Sequence, residues 1–358
     1  MLVDLLKDLV AIDSSTKEGA NKAVEYCSGW LADQGLTVDL IDNNGYKMLV
    51  CEIGKGDKTL IFNGHVDVVS GQPDQFIPMI KNGKLYGRGA ADMKAGVAAM
   101  MCAMVRLQYE GLGLKIQLQI VSDEETGGFN CSRHLVKQGF VGDFVICSEP
   151  TQLGIGLQAK GVLQADIEIS GKSSHGSRPW EGINAIEKAY HVYEKILDLP
   201  FTREETEFYA SPSVNLAKIR AGEVYNKVPD KCLISFDIRY LPSQQKNEII
   251  RQISSATDGK VIEKMFSLPV STNVNNPYVS LLRPVIERHT NKEAEIFGQH
   301  GAADTVYFAA LGIPAIEFGP SGANWHGDNE YVELDSVSVY EEMLIDFATE
   351  FSKPKIHV

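Results

Sequence analysis

The chain has 358 residues, more than the roughly 250–300 at which a single hydrophobic core stops growing, so two domains are the default expectation. Asp plus Glu number 47 against 34 for Lys plus Arg, a net charge of −13 that argues against nucleic acid or an anionic membrane surface as a partner. The six cysteines (Cys27, Cys51, Cys102, Cys131, Cys147 and Cys232) show no CxxC pair and no disulfide-dense spacing, which favours a reducing cytosol and a cytoplasmic protein.

The opening MLVDLLKDLVAI is interrupted by Asp4, Lys7 and Asp8 and has no basic leader, so it is predicted as an amphipathic helix and not a targeting segment. No stretch approaches the ~20 uninterrupted apolar residues of a membrane span. A helix is predicted over 18–34, ending at Gly35, then strands over 36–41 and 47–53. TLIFNGHVDVV (59–69) reads as a buried strand running into a loop, and a long apolar helix is predicted over roughly 93–109. KIQLQIVSDEE is a strand with an acidic end, and GDFVICSEP is another that stops at Pro150. This alternation predicts an α/β layer with a mostly parallel sheet, whose ligands lie beyond the carboxyl ends of its strands.

From about residue 160 the texture changes. GVLQADIEISG, SVNLAKIRAG and KCLISFDIRY alternate apolar and polar residues as half-exposed antiparallel strands do, with helical runs at 182–198 and 244–257 between them. Two helices on one face of a four-stranded antiparallel sheet would make a small inserted α+β domain. A helix at 277–290, the run AALGIPAIEFGP and a closing helix at 335–351 return the chain to α/β texture. The expected domains are therefore 1–159 with 276–358, and 160–275.

Five residues of metal-ligating type stand at the ends of apolar runs or in loops: His65, Asp92, Glu125, Glu149 and His326. Two imidazoles and three carboxylates without a cysteine suit a pair of divalent ions, Zn, Co or Mn, better than one structural zinc. One carboxylate shared between the ions would give each three protein ligands. Each residue also has an ordinary reading on its own. His65 and Asp67 form a short HxD that is common on surfaces, Asp92 in GRGAADMKAG is an acid at a helix start, and SDEETGG is an acidic turn. Read functionally, Asp67 lies on the same side of the strand as His65 and is placed to accept its second N–H. Gly87, Gly89 and Gly96 allow the close backbone approach that a shared carboxylate needs. Glu124 and Glu125 are neighbours whose side chains diverge, so one can ligate while the other faces substrate. Glu149 ends the apolar run FVIC, where an unpaired charge is costly, and His326 lies in a glycine-rich loop beside Trp325 and Asp328.

NGHVDVV, YGRGAADMKAG, SDEETGG, SEPT, GKSSHGSRPWEGINAI and WHGDNE, in that order from about residue 59 to 331, resemble the motif series of the M20 metallopeptidases. That family includes acetylornithine deacetylase, succinyl-diaminopimelate desuccinylase and glutamate carboxypeptidases. The resemblance implies a di-zinc catalytic domain interrupted by a lid domain that also dimerises, and hence a homodimer. It implies that Asp92 bridges two ions, with His65 and Glu149 on one and Glu125 and His326 on the other. Glu124 would be the general base and Asp67 the partner of His65. His175 in SSHGSRP matches a lid histidine that reaches a neighbouring subunit's active site. Arg239 in FDIRY matches an arginine that binds a substrate carboxylate, with Asn215 in SVNLAKI assisting.

The reaction implied is hydrolysis of the amide of an N-acyl amino acid by a metal-activated water, as in acetylornithine deacetylase. A dipeptidase or carboxypeptidase activity is the alternative, and a non-catalytic metal-bound scaffold is a third reading that Glu124 and His175 argue against. GAAD (301–304) and WHGD (325–328) stand where desuccinylases carry Gly-Thr-Ser-Asp and Ile-His-Lys segments, which argues against succinyl substrates. Asp92 excludes the subfamily with cysteine at the bridging position.

Overall fold

Three apolar runs that the sequence marks as strands lie side by side with part of the run AALGIPAIEFGP. In the computed structural model, which describes residues 1–353, strands Lys115–Val121, Thr59–His65, Phe144–Cys147 and Ala315–Glu317 run parallel in that order at the centre of a nine-stranded sheet. The expected parallel layer is thus its core, while the margins are antiparallel. Val38–Asn43 and Tyr46–Ile53 form a hairpin on one side, and Ile155–Ala159 pairs antiparallel with Ala315–Glu317 on the other. The hairpin follows from Asn44-Gly45, both at positive φ (56° and 77°), which close a two-residue turn whose twist matches that of the strands.

Alternate residues of the central strands feed opposite faces. Leu60 and Phe62 join a core with helices Leu2–Ala11, Lys17–Asp33, Ala95–Leu107, Pro277–Thr290 and Leu334–Ser352, whereas Ile61 packs with Phe308 on the other face. Helix Ala95–Leu107 is buried from Ala95 to Met104, so it is apolar on nearly every side. The sequence predicts this helix from residue 93, but it begins at Ala95. Asp92 (φ −114°, ψ 95°) and Met93 (φ −129°, ψ 33°) are not helical and belong to a tight turn over Ala90–Lys94. The buried strand expected to run into a loop within 59–69 spans Thr59–His65, after which the backbone turns away to present ligating groups.

A second sheet was not legible in the sequence. Its strands Gly322–Ala323, Tyr331–Glu333, Lys84–Tyr86 and Met79–Lys81 pair in that order, all antiparallel. These strands are two or three residues long, too short to generate a period. Tyr331 opposite Tyr86 brings the loop carrying His326 beside the turn carrying Asp92.

The chain divides into two compact units. One comprises Met1–Leu157, Ser271–Phe297 and the stretch from Ala303; the other comprises Gln158–Val270 with Gly298–Ala302. The sequence texture puts these boundaries at 159/160 and 275/276 and assigns 298–302 to the first unit. Within the second unit the Tyr209 hydroxyl and the Lys160 N–H both donate to the Gln299 carbonyl (2.9 and 3.3 Å), an attachment that periodicity does not register. The second unit is the expected α+β layer. Strands Ser213–Ala221, Lys231–Tyr240, Gly161–Ser170 and Lys260–Ser267 pair antiparallel in that order. Helices Ala185–Leu197 and Lys246–Ala256 pack on the face bearing Ile234, Phe236, Ile238 and Tyr240. No helix among the described residues is long and apolar enough to cross a membrane.

Candidate metal centre

The parallel strands end together, and their exits converge on Asp92. His65, the last residue of its strand, sets Nε2 3.2 Å from Asp92 Oδ1, while His326 sets Nε2 3.3 Å from Asp92 Oδ2. The two oxygens of one carboxylate thus face two different imidazoles. Glu149, just past Phe144–Cys147, lies 3.8 Å from His65 Nε2, and Glu125 lies 3.2 Å from His326 Nε2. Two three-residue clusters result, His65–Asp92–Glu149 and Asp92–Glu125–His326, each with ligand atoms within 4.8 Å of one another. One imidazole and two carboxylates per cluster is a donor set for Zn, Co or Mn.

Local structure explains these positions. Gly96, at the start of the buried helix, packs so close to Ser148 that an added Cβ would lie 1.9 Å from its Oγ, which draws the Asp92 turn towards the strand end bearing Glu149. His326 itself is in the left-handed region, at φ 62°. In the SDEETGG loop, the Asp123 carboxylate accepts from the N–H groups of Asn130 (2.7 Å) and Cys131 (3.2 Å) and folds the segment back on itself.

Asp67 does more than the sequence suggests. Its carboxylate oxygens accept from the N–H groups of Glu124 (3.2 Å) and Glu125 (2.9 Å), fixing the backbone between the two acids. His65 Nδ1 lies 3.5 Å from Asp67 Oδ1 but only 2.9 Å from the Asp67 carbonyl oxygen, so the main chain is its closer partner. Glu124 Oε2 is 3.8 Å from His65 Nε2.

The electrostatics are those of a site short of positive charge. Burial pushes the Glu124 and Glu149 carboxyls well above the ordinary range; His65 opposes this in both, and Asp92 adds to it for Glu149. Burial likewise raises Glu125. Asp92 goes the other way, because the hydrogen bonds from His326 and His65 outweigh its burial. Two imidazoles against Asp92, Glu124, Glu125 and Glu149 leave buried carboxylates that a divalent pair would neutralise, and on this count the residues present fit such a pair.

His175, Arg239 and Asn215 lie in the second unit. His175 is exposed in a loop, with Nδ1 2.8 Å from Ser177 Oγ. Arg239 and Asn215 share the sheet face opposite the helices, with Asn215 paired to Asp237 and Arg239 Nε donating to Asp237 Oδ1 at 2.7 Å.

Three participants escape the sequence reading. Arg88 and Glu330 form a buried ion pair (2.9 Å) beneath the Asp92 turn. Asp304 is buried against Ser132, whose Oγ donates to it at 2.5 Å, and its desolvated carboxyl is pushed up to about 7. Gly128 lies so close to Asp304 that a Cβ there would fall 2.1 Å from Oδ1. The only local signal was the excess of glycine around these acids.

A family model described as Peptidase family M20/M25/M40 matches residues 61–350. Succinyl-diaminopimelate desuccinylase 1 of Alteromonas mediterranea is 29% identical over 340 residues, covering 87% of this chain and 86% of that protein. The LysW-lysine/LysW-ornithine hydrolase of Saccharolobus solfataricus is 26% identical over 343 residues, covering 94% and 92%. Among solved structures, the aminopeptidase PepT of Bacillus cereus superposes with a TM-score of 0.86 at 21% identity, over 98% of both chains.

Proposed function

The chain belongs to peptidase family M20/M25/M40, whose members are hydrolases of amide bonds, and from that premise we propose that it removes the acyl group from an N-acyl amino acid at a centre holding two divalent cations. The observation that carries this reading is the Asp92 carboxylate, one oxygen towards His65 and the other towards His326. His65 and Glu149 would hold one cation, Glu125 and His326 the other, with Asp92 shared; Zn2+ is the first choice, Co2+ and Mn2+ the alternatives. When bound, the pair supplies Lewis-acid polarisation of the amide carbonyl and lowers the pKa of water.

The chain's own residues do the rest. Glu124 takes the proton of the attacking water and delivers it to the leaving amine, a task for a carboxyl whose burial raises its proton affinity. Asp67 holds Glu124 and Glu125 in register through their N–H groups. Arg239, braced by Asp237, grips the α-carboxylate of the substrate through its planar fork, assisted by Asn215.

A panel of N-acetyl amino acids, N-succinyl amino acids and dipeptides, assayed with added Zn2+, Co2+ or Mn2+, tests the reading. Turnover of N-acetyl amino acids is expected to exceed that of dipeptides. Preferred dipeptide hydrolysis would replace the deacylase reading with a peptidase one, and inactivity throughout would favour a scaffold. A relative at 29% identity is named a desuccinylase, whereas GAAD and WHGD depart from the desuccinylase segments, so the succinyl arm decides the acyl group. In the same panel Arg239→Lys is expected to slow N-acyl amino acids much more than the matching amides; equal losses would make Arg239 structural.

We assign His175 to the active site of a second copy, where it would stabilise the oxyanion of the tetrahedral intermediate. A homodimer through the second unit is supported by Ile186 (39% exposed), Tyr190 (59%) and Leu197 (41%) on helix Ala185–Leu197, and by Ser213–Ala221, an edge strand whose backbone groups offer a pairing template. Mixing inactive His175→Ala with inactive Glu124→Gln is expected to restore one site per heterodimer. A mixture that stays inactive would return His175 to its own chain or to a purely local role. The six cysteines are all free and buried, which supports a reducing cytosol as the working compartment.

A further inference from the structure

The turn that carries Asp92 cannot satisfy its own backbone. Ala90 N–H bonds the Gly87 carbonyl and Lys94 N–H bonds the Gly89 carbonyl, but Gly89, Ala91 and Asp92 stand at the start of the turn, where N–H groups have no carbonyl of a preceding helical turn to bond. All three N–H groups point at one side chain. Glu330 Oε2 accepts from Gly89 N–H (3.0 Å), and Oε1 accepts from Ala91 N–H (3.0 Å) and Asp92 N–H (3.1 Å).

The charge of that carboxylate is matched from the same turn. Arg88 Nη1 donates to Glu330 Oε2 at 2.9 Å, and Arg88 Nη2 donates to the carbonyl of His326 at 3.3 Å. The side chains of Arg88 and Glu330 are 3% and 1% exposed. A buried ion pair of this kind is poor value as stabilisation, since a well-packed apolar pair of similar volume is often as stable or more so; what it supplies is direction. Apart from the bond between the two, each of these side-chain hydrogen bonds ends on the backbone of a candidate ligand or of its immediate turn.

Resting on the reading of a two-cation centre, we infer that Glu330 and Arg88 are positioning residues for it: Glu330 sets the Asp92 carboxylate between His65 and His326, and Arg88 ties the His326 loop to the same frame. Neither touches substrate or the reacting atoms. Their chemistry requires an anion that accepts on both oxygens. Glutamine at 330 keeps the volume but turns one oxygen into a donor facing the donors Arg88 and Gly89 N–H. Aspartate keeps the charge and both acceptors on a shorter stem.

The test is titration of metal-free protein with Zn2+ and with Co2+, following binding heat, Co2+ absorption at saturation, and thermal melting of the metal-free form. Wild type is expected to bind two ions. Glu330→Gln is expected to weaken them by the ~10–100-fold typical of lost outer-sphere partners and to change the Co2+ absorption, with Glu330→Asp recovering part of both. Wild-type affinity and an unchanged spectrum in folded Glu330→Gln would overturn the inference, and if that variant does not fold, Glu330→Asp with wild-type affinity and spectrum would do so. A lower melting point with unaltered binding would make the pair merely structural. Wild-type protein that binds fewer than two ions would instead overturn the two-cation reading itself, and the two failures are separated by that control.

Discussion

Asp92→Ala is expected to release both cations and bring turnover to background. Asp92 belongs to both ligand clusters, and its two oxygens face different imidazoles at 3.2 and 3.3 Å. Without it each cluster falls to two protein ligands, fewer than the three of a catalytic zinc site. No neighbour takes its place, because Glu125 and Glu149 are already engaged in separate clusters. Elemental analysis after dialysis should fall from about two equivalents per chain to none. Retention of both ions would show that the clusters do not depend on a shared carboxylate. Loss of one ion only would place Asp92 on a single cation and remove the bridge.

Glu124→Gln is expected to leave metal content and fold unchanged while lowering kcat by the ~10²–10⁴ characteristic of a lost general base. Glu124 belongs to neither ligand cluster, yet its carboxylate lies 3.8 Å from His65 and is pushed up by burial, as suits a group that must take and return a proton. Glutamine preserves the backbone bond to Asp67 and the side-chain volume but cannot carry the proton. Glu125→Ala is the contrasting variant. Glu125 faces His326 at 3.2 Å in the second cluster, so its loss should deplete one ion. If the two variants have the same metal content, the division of labour between these adjacent acids is wrong. The adjacency makes this a sharp comparison, since both backbones hang on the same Asp67 carboxylate and a general disturbance of the loop would affect both alike.

The pattern of elements was legible wherever a run was long enough to show its period. Helix Pro277–Thr290 is where the sequence puts it, and helix Leu334–Ser352 is within a residue at each end. The change from buried runs to alternation after residue 160 marks the α+β sheet because half-exposed strands write their two faces into the sequence. The candidate ligands were legible for a different reason. A charge at the end of a buried strand is costly, so Glu149 after FVIC and His65 after TLIFNG stand out against their surroundings.

Other features depend on segments distant in the chain. Asp92 and Glu330 are separated by 238 positions, and nothing near either residue indicates that one receives the backbone N–H of the other. Arg88 and Glu330 meet only because the short strands Lys84–Tyr86 and Tyr331–Glu333 pair and bury them together. Asp304 and Ser132 meet across 172 positions in the same way. The sequence by itself determined the types of the longer elements, the two textures and the chemical kinds of ligand, since these follow from local period and from the cost of burying charge. Only the tertiary structure decided that both oxygens of Asp92 face imidazoles and that Glu330 holds its turn, because such contacts arise from the register of paired strands and not from any property of the residues' neighbours in sequence.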